Sequence, residues 1–145
     1  AKRRAAKEQK EPEKKVLTTQ QTIFDARAEI DKITVPPHVE KYMVDLVFST
    51  RYPERYTYEL KSYIYIGASP RASLALDKCS RVHAWLKGRE ECGIEDVQAM
   101  VTAVLRHRIM RSERSLKHKI KTDEIIEDIL ELVPVPDPSE SYQKA

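Results

Sequence analysis

Glycine is nearly missing from this chain: Gly67, Gly88 and Gly93 are the three in 145 residues. A Walker A phosphate loop needs two glycines five positions apart followed by Lys and Ser or Thr, and a dinucleotide fingerprint needs three closely spaced ones. Neither spacing occurs, so the chain has no glycine-loop phosphate cradle of its own. Cysteine is scarce too. Cys79 and Cys92 form no Cys-x-x-Cys, and His38, His83, His107 and His118 form no His-x-x-x-His. That argues against a disulfide scaffold and against a metal site. No uninterrupted apolar run is long enough to span a membrane, and the basic N-terminus lacks the apolar stretch of a secretory signal, so the chain reads as cytoplasmic. It begins with Ala rather than Met, which points to a piece of something longer.

Charge is what the chain has in quantity, and it is unevenly spread. Residues 1–15 carry seven Lys/Arg against three Glu, while the other 130 residues carry nineteen basic against twenty acidic side chains, giving +3 in all. A basic tail on a near-neutral body reads as a solvated linker, because a nucleic-acid footprint would cover a folded face. Nucleic acid is therefore a disfavoured partner, reached if at all through the tail.

The body reads as helices. Thr18 and Thr19 can cap a first helix over 18–33, with Ile23, Ala26, Ile30 and Ile33 on one side. Pro36 and Pro37 stop it and suit the first turn of a second helix over 37–50, whose inner face is Val39, Tyr42 or Met43, Leu46 and Val47. Residues 51–58 look like a loop, and Tyr63–Ile66 is a short β-favouring run. Five of the seven tyrosines fall between 52 and 65, either a binding surface or loop rings packing over helices. Ser69 as cap, Pro70 in the first turn and Gly88 as stop bracket a third helix with an expected inner stripe of Ala72, Ala75, Cys79, Val82 and Leu86. A fourth covers about 95–104, with Val97, Met100, Val101 and Val104 inward. The last begins near Thr122, with Ile125, Ile126, Ile129, Leu130 and Val133 as its core side, and Val135-Pro136-Asp137-Pro138 ends it. Leu105–Ile109 is ambiguous between helix end and strand. The expected fold is thus mainly α, a compact helical bundle, with room for a two-stranded ribbon between Tyr63–Ile66 and Arg106–Ile109.

Arg71 does not fit a purely structural account. A cation in a helix's first turn opposes the partial positive charge there, yet an arginine beside such an end can bind a phosphate. The alternative is an ion pair with a carboxylate such as Asp45 or Glu95.

Gly67-Ala68-Ser69-Pro70-Arg71-Ala72-Ser73-Leu74 and Val104-Leu105-Arg106-His107-Arg108-Ile109 resemble the C-terminal lid of the MoxR-type AAA+ ATPases. Val16-Leu17-Thr18, Asp45–Arg51 and Glu127–Pro136 match the same pattern in type and order. The resemblance covers about residues 16–136, leaving 1–15 as a basic linker and 137–145 as a tail. It implies that Arg71 falls on the family's sensor 2 arginine and acts as a catalytic residue, with Ser69-Pro70-Arg71 as the nucleotide-binding turn. It also implies ATP and Mg2+ as cofactors of the full-length protein, held by an AAA+ core domain of the same chain, a homo-oligomeric ring and a protein client of unknown identity. The Walker A lysine, Walker B carboxylates, sensor 1 and arginine finger would lie in that core, so the isolated chain is expected not to hydrolyse ATP. Arg106, His107 and Arg108 match a family string without a clear role, and Arg111 and Arg114 extend a basic run that reads as solvated face. The competing expectation is a stand-alone helical module that binds nucleic acid through the tail, or a partner protein through the tyrosine-rich segment 52–65, with Tyr56 and Tyr58 as the residues to test.

Overall fold

Proline and capping residues delimit the five longer helices close to where the sequence suggests, and two short ones stand between them. The computed structural model describes residues 16–139. The elements in order are α1 (Gln20–Asp31), α2 (Pro37–Arg51), a 3-10 turn (Pro53–Arg55), α3 (Tyr58–Tyr63), β1 (Ile64–Ile66), α4 (Arg71–Leu86), α5 (Ile94–Leu105), β2 (Met110–Arg111), α6 (Glu113–Lys117) and α7 (Thr122–Leu132). The fold is mainly helical, as the sequence implies, with β1 and β2 as one antiparallel pair. The linker expected over 1–15, and 140–145 of the expected tail, lie outside the described residues. Among those described, no helix is long and apolar enough to cross a membrane.

Helices α4 and α5 form the spine. The connection 87–93 folds them into a hairpin, and Gly88 makes it: its φ of +74° is left-handed, and Gly88 and Arg89 donate back to the carbonyls of Trp85 and Ala84. α4 buries Ala72, Leu76, Ser80 and Ala84, a row spaced by four. This corrects the expected stripe. Val82 and Leu86 are exposed and Ala75 and Cys79 half-buried, because close approach to α5 selects the row of small residues rather than the more apolar one. α5 answers with Val97, Val101, Val104 and Leu105. α2 contributes Val39, Tyr42, Met43, Leu46 and Val47, and α7 contributes Ile125, Ile126 and Ile129, each as expected from helical spacing.

Three further expectations need correction. The first helix is capped by Thr19, whose Oγ1 accepts from Thr22 N–H at 3.2 Å, but its apolar stripe is not buried. Ile23 and Phe24 are about half exposed, and Ile33, beyond the helix, is the stripe residue that enters the core. Between the loop expected over 51–58 and the strand lies an unforeseen helix, α3, started by Thr57, whose hydroxyl accepts from Leu60 N–H; it takes Tyr58 from that loop and Tyr63 from the expected β run. The ribbon partner of β1 is Met110–Arg111 rather than Arg106–Ile109: Arg106 keeps helical dihedrals as the end of α5 and delays the strand.

One polar cluster fastens the spine. Asp96 is fully buried in the first turn of α5, where its Oδ2 accepts from Gly93 N–H at 2.8 Å. Its Oδ1 lies 2.6 Å from His83 Nδ1 and also takes Arg89 Nη2. A buried carboxylate so paired ties α4, the connecting loop and α5 together. His83 is thus a packed structural histidine.

Candidate functional site: the turn that presents Arg71

The approach to α4 is held from both sides. Thr50, fully packed at the end of α2, donates its hydroxyl to Val47 O at 2.7 Å and accepts from Ala68 N–H at 2.9 Å. The next residue, Arg51, donates Nη1 to Ala68 O at 3.2 Å. Both faces of the chain around Ala68 are therefore bonded to successive residues of α2, and Ala68 itself is fully buried. Gly67 allows the approach: a Cβ there would stand 2.1 Å from Thr50 O. Its role is closeness to α2.

Past Ala68 the turn closes on itself. Ser69 Oγ accepts from Arg71 N–H at 3.1 Å, Ser69 O from Ala72 N–H at 2.8 Å, and Pro70 O from both Ser73 N–H and Ser73 Oγ. The helix starts at Arg71 with Pro70 as its cap residue, one position later than the expected Ser69 cap, although Pro70 already has helical dihedrals, φ −53° and ψ −26°, and Ser69 Oγ still takes the Arg71 N–H. The consequence for anion binding is specific. Pro70 has no N–H, and those of Arg71, Ala72 and Ser73 are already bonded, so an anion here would meet the Arg71 side chain rather than a fan of free backbone donors.

Arg71 itself is exposed, and its guanidinium has no hydrogen bond or ion pair among the described residues. Neither carboxylate weighed as its partner takes it. Asp45 pairs with Lys41 at 2.6 Å and Glu95 with Arg89. Ser69, Pro70 and Arg71 thus come together as one turn carrying one free cation.

The other residues singled out in the sequence have plainer roles. Arg106 forms a two-point ion pair with Asp123, at 2.6 and 2.8 Å, which holds the Asp123 carboxyl below its ordinary pKa. Arg108 donates Nε to Val104 O and Arg111 donates Nη1 to Ile120 O, so both brace the backbone. Tyr56 and Tyr63 pack against the core, whereas Tyr58 and Tyr65 are exposed. Sequence reasoning missed the Thr50–Arg51 clamp, whose signal was only a Thr-Arg pair ending a helix. It also missed a groove of about 1110 Å3 lined by Glu29, Trp85, Glu90, Glu91, Cys92 and Glu95 among others. Burial pushes the Cys92 thiol up to about 12, so it is no nucleophile at neutral pH. Ser69, Pro70 and Arg71 do not line this groove.

Residues 58–129 match the AAA lid domain family. The chain is 36% identical to chaperone MoxR1 of Mycobacterium tuberculosis over 96 residues, 66% of this chain and 26% of that protein. It is 34% identical to protein MoxR of Methylorubrum extorquens over 71 residues, 48% of this chain and 21% of that one. A solved structure of a candidate ATPase from Cytophaga hutchinsonii superposes with a TM-score of 0.77 at 35% identity, covering 81% of this chain and 36% of that one. The chain is a MoxR-type AAA+ lid domain. This lid spans between about a fifth and a third of the length of the curated relatives it matches. α1 and α2 precede the family match, so the clamp on Ala68 joins the lid's matched part to a helix outside it.

Proposed function

We propose that this lid is half of a nucleotide site in a ring-forming ATPase, in which Arg71 acts as the sensor 2 residue toward ATP held by an AAA+ core domain of the same chain. The observation that supports it is the unpaired Arg71 guanidinium on a backbone fixed from two directions. A guanidinium offers a rigid fork of donors suited to phosphate oxygens, and such bonds strengthen as charge develops during phosphoryl transfer. Mg-ATP, when bound, supplies the phosphoryl group and the metal that neutralises its charge. Arg71 supplies one further positive charge, while Ser69 and Pro70 hold the turn that aims it. Because ADP lacks the γ-phosphate, loss of this contact on hydrolysis would release the lid and change its angle. The name of the Mycobacterium relative extends by analogy to a chaperone-like role with a protein client. The chain by itself should not turn over ATP.

The test is Arg71→Ala in the full-length protein. Turnover at saturating ATP should fall roughly 100-fold, the scale for removing one donor to a developing oxyanion. The melting temperature of the lid should not change, since the side chain has no hydrogen-bond or ion-pair partner among the described residues. Unchanged turnover in a folded variant would overturn the sensor role.

A further inference from the structure

α2 and its cap residue Tyr52 turn one apolar strip outward. Val44, Phe48 and Tyr52 recur at four-residue spacing and remain 40%, 43% and 40% exposed, while the opposite side of α2 fills the core. With Asp45, Arg55 and Tyr56 they line a groove of about 260 Å3. The lining is mainly aromatic: the Phe48 and Tyr52 rings lie 5.7 Å apart, and the Arg55 guanidinium stands over the Tyr52 ring at 5.1 Å. Its charges are one carboxylate and one cation, and Asp45 is held by Lys41 at 2.6 Å, so the groove favours an uncharged occupant. It is smaller than the roughly 300 Å3 at which small-molecule pockets begin, and suits a single side chain.

The chain beyond α7 is led toward this strip. Pro136 is still buried. The Asp137 carboxyl is held below its ordinary pKa by Ser139, whose N–H and hydroxyl both donate to it, and next by His38 in the first turn of α2. His38, Asp45 and Tyr52 are spaced by seven, close to two helical turns each, and so share one row that runs from the departing chain to the groove. Residues 140–145, Glu-Ser-Tyr-Gln-Lys-Ala, lie outside the described residues.

We propose that Tyr142 of the segment 140–145 docks in the Phe48–Tyr52 groove of its own chain and covers the outer face of α2. The reach is sufficient. Asp137 to Tyr142 spans up to about 17 Å of extended chain, against about 15 Å of helix from His38 to Phe48. Composition selects the occupant. Of the two segments outside the described residues, 1–15 carries seven Lys/Arg and no aromatic or large aliphatic side chain, whereas 140–145 carries one ring, that of Tyr142. Glu140 and Lys144 stand two residues either side of it and balance each other, as Asp45 and Arg55 do in the groove. A phenol ring suits an aromatic lining in offset or edge-to-face contact, and its hydroxyl can stay in water at the groove mouth. The contact involves neither Arg71 nor a nucleotide, so it stands or falls apart from the sensor role.

Solution NMR of the isotope-labelled 145-residue chain tests it. The Tyr142 amide should have an order parameter near about 0.85, and its ring protons should show nuclear Overhauser contacts to Val44 and Phe48. Phe48→Ser, at a half-exposed position, should drop that order parameter below about 0.6 with circular dichroism unchanged. Tyr142→Ala, a change outside the described residues, should free the segment as well and shift the resonances of Val44, Phe48 and Tyr52. A Tyr142 order parameter below about 0.6 in the parent chain would overturn the proposal. So would a segment that stays ordered in folded Phe48→Ser. Ring contacts seen only between labelled and unlabelled copies in a mixed sample would overturn it too, since the groove would then belong to a second chain.

Discussion

Replacing Gly67 by Ala probes the joint between α2 and α4. The new methyl carbon would lie 2.1 Å from Thr50 O, 2.4 Å from Thr50 C and 2.7 Å from Arg51 N. All three are backbone atoms of a helix end and cannot swing aside as a flexible side chain would. The loop must retreat by an ångström or more, which stretches the Ala68 N–H bond to Thr50 past hydrogen-bonding range. Overpacking of this kind costs about 1–3 kcal/mol, and a buried N–H left unpaired costs about 1–3 kcal/mol more. A combined loss near ~3 kcal/mol would lower the melting temperature by roughly 10 °C for a domain of this size. Urea denaturation of the chain, read by circular dichroism, gives the free energy directly. Thr50→Val is the control, since it removes the hydroxyl and keeps the volume, and it should show only the hydrogen-bond part. A Gly67→Ala variant within about 0.5 kcal/mol of the parent, the usual range of inconsequential surface changes, would refute the close-approach reasoning.

Two further predictions rest on single groups. Ser80 is fully buried on α4 and its hydroxyl has no partner among the described residues. Ser80→Ala should therefore stabilise the lid by about 1 kcal/mol in denaturant titration, and a loss of stability would mean the hydroxyl is satisfied. Asp128 has its pKa raised by desolvation first and then by the neighbouring Glu131, Glu59, Glu127 and Glu124. A carboxyl raised on folding destabilises at pH above its folded pKa, and that penalty disappears as pH falls toward the ordinary value of 3.8. Asp128→Asn should then raise the melting temperature at pH 7 and lose its advantage below pH of about 4; an equal gain at both pH values would contradict the crowding.

What could be read from the sequence depended on whether one signal was enough. α2 and α7 have broad stripes of large aliphatic residues against flanking charge, so Val39, Leu46, Ile125 and Ile129 could be placed from spacing alone. α4 offers two adjacent stripes, and the correct one contains Ser80. Only the partner helix decides, because small residues allow α5 to come close. α3 and α6 are too short for periodicity to register, and they show only in their caps, Thr57 and Ser112. At the candidate site the helix start, to within one residue, and the Gly88 stop could be read because each is local chemistry. The Thr50 and Arg51 bonds to Ala68 join residues seventeen and eighteen positions apart, and no local rule predicts such a pairing. The fate of Asp45 and Glu95, likewise, was set by Lys41 and Arg89, each on the carboxylate's own stretch of chain.

The two bonds on Ala68 also fix where this molecule can and cannot bend. A loop with free carbonyls and amides absorbs a pull by rotating its dihedrals, whereas one pinned above and below to consecutive helix residues transmits it. Force applied at the Arg71 guanidinium would pass through the first turn of α4 into the last turn of α2 with little slack. α2 is itself packed into the core from Val39 to Val47, so a displacement beginning at Arg71 would be handed to the side chains packed around that helix, and the core would have to repack for the turn to move.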